Sequence, residues 1–146
     1  MSRRDKSSHP FSRRTSRRRG SHRRGVAAVE FAVCLPVIVL LVFGSIEASS
    51  FIFLKQSLSV AAYEGVREAV REKATDATAL ERAENVLTSR DVDGFQVTFP
   101  NGNIASAQRG DRIVCQVTAP TQPNSPLAGQ FVTNRVLTAR VVMVKE

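Results

Sequence analysis

The sequence predicts an α+β chain with one long N-terminal helix, a second short helix and a small antiparallel sheet. Three observations predict it. Residues 31–46, FAVCLPVIVLLVFGSI, run for 16 positions without a charge between Glu30 and Glu47. From Leu58 to Leu87 the apolar residues recur every three or four positions, the period of a helix lying on a core. Beyond Asp91 the period changes to two, which is the pattern of strands with one buried face.

Residues 1–24 hold nine Arg and one Lys against one Asp, a charge of +9, while the remainder sums to −1, so the basic character of the chain belongs to its N-terminal tail. Apart from Met1, Pro10 and Phe11 that tail has no apolar side chains and cannot bury enough surface to offset its ordering entropy, which predicts disorder over 1–25. Taken alone, an Arg-rich extension would suggest phosphate binding on nucleic acid. The apolar run immediately after it points instead to a membrane.

As a helix, the uncharged run is about 24 Å long and the segment from Val26 to Leu54 about 43 Å, against a hydrocarbon thickness of about 30 Å. With the second apolar patch at Phe51–Leu54, residues 26–54 form a transmembrane helix that is apolar on every face, and the rest of the chain is too small and too polar to enclose it. The +9 tail abuts its N-terminal end and only Lys55 flanks the other, so the N-terminus is expected in the cytoplasm and residues 55–146 outside, as an α+β domain.

An ordinary secretory cut after the apolar run has poor sites, since cleavage after Ala48 would place Ile46 at the minus-three position. A lipoprotein cut at Cys34 fails because Val33 precedes it. The junction before the run is more specific: Arg23-Arg24-Gly25-Val26-Ala27-Ala28-Val29-Glu30-Phe31. A basic leader ending in Gly, followed by a few apolar residues and Glu-Phe, resembles the type IV prepilin processing site. That resemblance implies cleavage by a prepilin peptidase between Gly25 and Val26, with Glu30 fifth in the mature chain. Gly25 offers a permissive backbone to a narrow protease cleft, and Arg23 and Arg24 hold the junction at the anionic inner surface, at about 1 kcal/mol each. Glu30 is a carboxylate at the start of a lipid-embedded helix, so it calls for a partner. The resemblance implies pairing with the new Val26 amine of a neighbouring subunit, whereas the helix dipole alone would also favour an acid there.

Residues 25–70 resemble the TadE-like proteins, pilin-like components of the tight-adherence (Flp) pilus machinery. The shared features are Ala28, Glu30, Phe31 and Ala32 at the opening, then Pro36, then Gly44 with Glu47, then Ala61, Ala62, Gly65 and Arg67. The resemblance implies a pilin-like fold and a membrane pseudopilin of the inner membrane. It assigns assembly roles to Glu30, Phe31, Pro36 and Glu47. Other pilin or pseudopilin subunits, the assembly platform and the lipid bilayer are the implied partners, with no nucleic acid after processing. Pro36 is expected to bend the span without ending it. Gly44, Ser45, Ala48 and Ser49 offer a small-residue face that another helix could approach.

The first helix is expected to run on to about Lys73, with Leu58, Ala61, Ala62, Gly65, Val66 and Ala69 on one side. Thr75-Asp76 interrupts it, Thr78-x-x-Glu81 reads as a capping box, and Leu80, Ala83, Val86 and Leu87 form the stripe of a second helix. Strands are expected around Phe95–Phe99, Ile113–Val117 and Phe131–Val144, with a turn at Asn101-Gly102 and a loop from Pro120 to Gly129. Both histidines, His9 and His22, lie in the tail, and the chain shows no acid pair or Gly-rich phosphate loop, so no enzyme activity, cofactor or metal is expected. Cys115 reads most simply as a buried apolar residue, with a disulfide between chains as the alternative. An uncleaved anchor whose tail binds anionic lipid or nucleic acid is the competing functional reading, and Gly25 discriminates the two.

Overall fold

The computed structural model describes residues 21–126 and 134–145, with side chains from residue 25 onward. The tail at 1–20, the side chains of Arg23 and Arg24, the end of the expected loop at 127–129, and Phe131 and Val132 lie outside the described residues. The chain divides into two units, residues 1–39 and 40–146.

In the first unit everything from Ser21 onward is helical, belonging to α1 (Ser21–Ala69). Its side chains from Gly25 to Val39 are all exposed, including Phe31 and Leu35. Helix geometry persists through Pro36, so the proline does not end the helix.

The second unit holds the remainder of α1, helix α2 (Asp76–Thr88), and strands β1 (Gln96–Thr98), β2 (Arg112–Pro120) and β3 (Val136–Val144). The strands form one antiparallel meander in the order β1-β2-β3. Its register places Ile113 opposite Met143, Cys115 opposite Val141 and Val117 opposite Ala139, so these residues line one face of the sheet. That face closes over the buried stripe of α1, which is Leu54, Leu58, Ala61, Ala62, Val66 and Ala69. The stripe agrees with the expected one, because the three-and-four spacing fixes which side of the helix can be dry.

Several details differ from expectation. α1 ends at Ala69, before Lys73, whose φ of 62° leaves the helical region. The capping box lies one turn earlier than predicted: Thr75 is the N-cap in extended conformation, its hydroxyl accepts from the Thr78 backbone N–H at 3.2 Å, and the Thr78 hydroxyl accepts from the Thr75 N–H at 3.1 Å. Thr at the third helical position performs the reciprocal bond that Glu81 was expected to make. The buried seam of α2 is Ala79, Ala83 and Leu87, with Leu80 and Val86 half-buried. β1 keeps only three residues, although Phe95 and Phe99 on its flanks still pack on the core. Pro120 ends β2 opposite Val136, so the loop begins at Thr121.

The long connection between β1 and β2 carries a short 3₁₀ turn, Ile104–Ser106. It is pinned from two sides. The Ile104 N–H donates to Asp76 Oδ1 at 3.0 Å, and Lys145 Nζ donates to the Ile104 carbonyl at 2.9 Å. Ile104 is thereby driven into the core at 1% exposure.

Cys115 is fully buried, and burial pushes its thiol up from the ordinary 9.0 to about 12. A thiol with no exposed surface cannot meet a sulfur from another chain, so the apolar-core reading holds and the disulfide alternative does not. In a Cys34→Ser background, Cys115 is expected to resist maleimide until the chain is denatured, as read by intact mass. The same shift sets the sign of a pH effect. The folded state keeps a proton that the unfolded state releases above about pH 9, so stability is expected to fall as pH rises from 9 toward 12, and Cys115→Ala should flatten that fall.

Candidate functional site

The candidate site is α1 itself, read outward along its length. Gly25 sits inside the helix, and a Cβ added there would meet nothing within 4 Å. Val26, Val29 and Phe31 are 59%, 65% and 61% exposed, an apolar surface on the first turns. Glu30 stands among them with no hydrogen bond or ion pair among the described residues. A carboxylate in an apolar setting is costly unless it finds a partner.

The helix from Gly25 to Ala69 is long and apolar enough to cross a membrane, and its most apolar stretch is 0% buried. The core helix of a soluble domain would be mostly covered. Ser45, Ser49 and Ser50 each return their hydroxyl to a backbone carbonyl three or four residues back, at 2.8, 2.8 and 3.0 Å, which neutralises the polar groups of this segment without a partner. With Gly44, which has open space beside it, they leave the expected small-residue face uncovered.

Glu47 behaves differently from Glu30. It is 2% exposed, its Oε2 accepts from Ser125 Oγ at 2.7 Å, and its Oε1 is buried with no hydrogen-bond partner. Its side chain therefore serves to tie the loop after β2 to α1. Leu54 and Ser57 continue the same sealed face. Further out, Arg82 of α2 places two nitrogens on Glu64 Oε2, at 2.9 and 3.2 Å, and Arg71 pairs with Glu68 at 3.0 Å. Only the Arg82–Glu64 pair joins α2 to α1, and with its arginine exposed it contributes little.

Sequence reading placed Gly65 on the dry side of α1 but missed how closely other elements approach it. A Cβ on Gly65 would lie 3.0 Å from Ala83 Cβ and 3.2 Å from Cys115 Sγ, so this glycine lets α1, α2 and β2 meet. The signal available was three small residues at core-facing positions of two helices, Gly65 with Ala79 and Ala83.

One exposed apolar helix able to span a bilayer, followed by a small α+β unit, is consistent with a membrane-anchored protein. Residues 25–67 match the family model described as TadE-like protein, the family whose motif the sequence displays. The match begins at Gly25 and covers under a third of the chain. No curated protein and no solved structure matches the chain.

Proposed function

We propose that the chain is a membrane pseudopilin of tight-adherence pilus assembly, made as a precursor and cut after Gly25 by a prepilin peptidase. One observation carries this reading: the TadE-like match starts at Gly25, where the Gly-to-Glu-Phe motif opens the exposed apolar helix. Cutting there would create an amine on Val26, four residues from a carboxylate that has no partner among the described residues. A neighbouring subunit's Glu30 and that amine then neutralise each other in a medium that penalises both alone. The basic leader keeps the N-terminus cytoplasmic, and the α+β unit lies outside the inner membrane. The protein contributes structure and contacts, and carries out no reaction of its own.

The N-terminal residue of the protein from its native membrane, found by intact mass and terminal peptide sequencing, tests the proposal. A start at Val26 supports it, and an intact Arg-rich N-terminus refutes it in favour of the uncleaved anchor. Glu30→Ala is expected to leave cleavage intact and to reduce assembled pili severely, scored by shear yield of surface fibres. Normal assembly would mean that Glu30 only complements its own helix dipole.

A further inference from the structure

The exposed apolar surface of α1 does not stop at Glu47. Around the helix from the sealed residues Glu47 and Leu54, Ile52 and Phe53 remain 59% and 53% exposed. The same two turns therefore carry an apolar surface on one side and the packed domain on the other. Next to Phe53 a cleft of about 390 Å³ opens between Ser50 and Phe53 of α1, Arg90 and Asp91 beyond α2, and the turn at Pro123–Pro126.

Arg90 is the unusual group in it. The guanidinium is half-buried, and its one hydrogen bond, from Nη1 to Ser57 Oγ, is long at 3.5 Å. It has no ion pair among the described residues, whereas Arg67, Arg71 and Arg82 are all paired with Glu64 or Glu68. The other arginines without an ion pair among the described residues, Arg109, Arg112, Arg135 and Arg140, are exposed to water. A half-covered guanidinium with most of its five donors unused is an incomplete site for a planar oxyanion. Asp91, exposed on the same cleft and also without an ion pair among the described residues, offsets the charge. A purely anionic ligand would gain nothing in net charge there, while a ligand with both a phosphate and an ammonium meets both groups.

We propose that this cleft seats the headgroup of a zwitterionic phospholipid of the outer leaflet, with its phosphate on Arg90, its ammonium toward Asp91 and its glycerol end on Phe53. The order of groups supports it. Ser57, which Arg90 touches, lies one helical turn beyond Phe53, about 6 Å further from the apolar segment, so ring and cation are stacked as acyl edge and phosphate are. The inference rests on the membrane reading of α1.

The full chain, released from phosphatidylethanolamine membranes into mild detergent, would be weighed by native mass spectrometry. One retained phosphatidylethanolamine per chain is expected, with retention cut about tenfold or more in Arg90→Gln, partly restored in Arg90→Lys and unchanged in Arg112→Gln. Asp91→Asn, which suits the left-handed backbone at that position (φ 51°), should shift retention toward anionic phosphatidylglycerol. No retained lipid, equal retention in Arg90→Gln, or displacement of the lipid by inorganic phosphate alone would overturn the proposal. The membrane reading is checked separately. The chain has no tryptophan, so Leu40→Trp in vesicles with brominated acyl chains reports the span alone. Quenching upholds the span whatever the lipid count, and its absence removes the span and with it the cleft's ligand.

Discussion

Gly25→Leu is expected to leave the full-length precursor in the membrane, with processing slowed tenfold or more, while Arg13→Ala is cut at about the normal rate. The structure makes this a clean substitution. A side chain at Gly25 meets nothing, so folding of the chain gives no reason for a defect. Gly25 is also helical, and a peptidase that reads an extended strand must first unwind the turn around it. Glycine lowers the helix's resistance by about 0.8–1 kcal/mol relative to a good helix former, which alone is a factor of about four or five in rate. The added bulk in the protease cleft multiplies that factor. Gly25→Ala separates the two contributions, since it restores helix propensity with the smallest side chain and should show an intermediate defect. Immunoblotting or intact mass of membrane fractions gives the ratio of precursor to cut chain. Equal processing of Gly25→Leu and Arg13→Ala would remove the leader interpretation.

The elements that sequence reading located well are those defined by a period within one segment. The dry side of α1 beyond Leu54, the place of α2 and the three antiparallel strands all derive from spacing of three, four or two. What it located badly depends on contacts distant in sequence. The tie between Glu47 and Ser125 spans 78 residues and carries no local mark in the sequence. The 3₁₀ turn at Ile104–Ser106 is held by Asp76 and Lys145, which lie 28 and 41 residues from Ile104 and carry no local mark of that role. Thr75 and Thr78 form a box that the usual Ser/Thr-to-Glu/Gln pattern does not describe. At the candidate site, Gly25, Glu30 and Phe31 could be singled out from sequence because they sit in one contiguous motif. The Arg90 cleft was not, because three separated segments build it.

Gly65→Val is expected to cause a large loss of domain stability. Even the first carbon of a new side chain lies 3.0 Å from Ala83 Cβ, a distance that forces α2 or β2 to move. Overpacking of this kind costs about 1–3 kcal/mol, sometimes more, and a branched residue in a helix recovers little through propensity. Gly65→Ala is the informative comparison. It gains about 0.8–1 kcal/mol of helix propensity and loses part or all of that to the clash. The same change at Gly44, where nothing lies within 4 Å, has no clash to offset the gain and should be neutral or stabilising. Thermal unfolding followed by circular dichroism in detergent would rank the variants. The decisive measurement is the double variant Gly65→Ala with Ala83→Gly, which moves the methyl group from one helix to the other. If close approach of α1 and α2 is what Gly65 provides, the pair should be more stable than the sum of its single changes by about 0.5–3 kcal/mol. Strict additivity would mean that Cys115 Sγ, 3.2 Å from the same point, sets the limit instead.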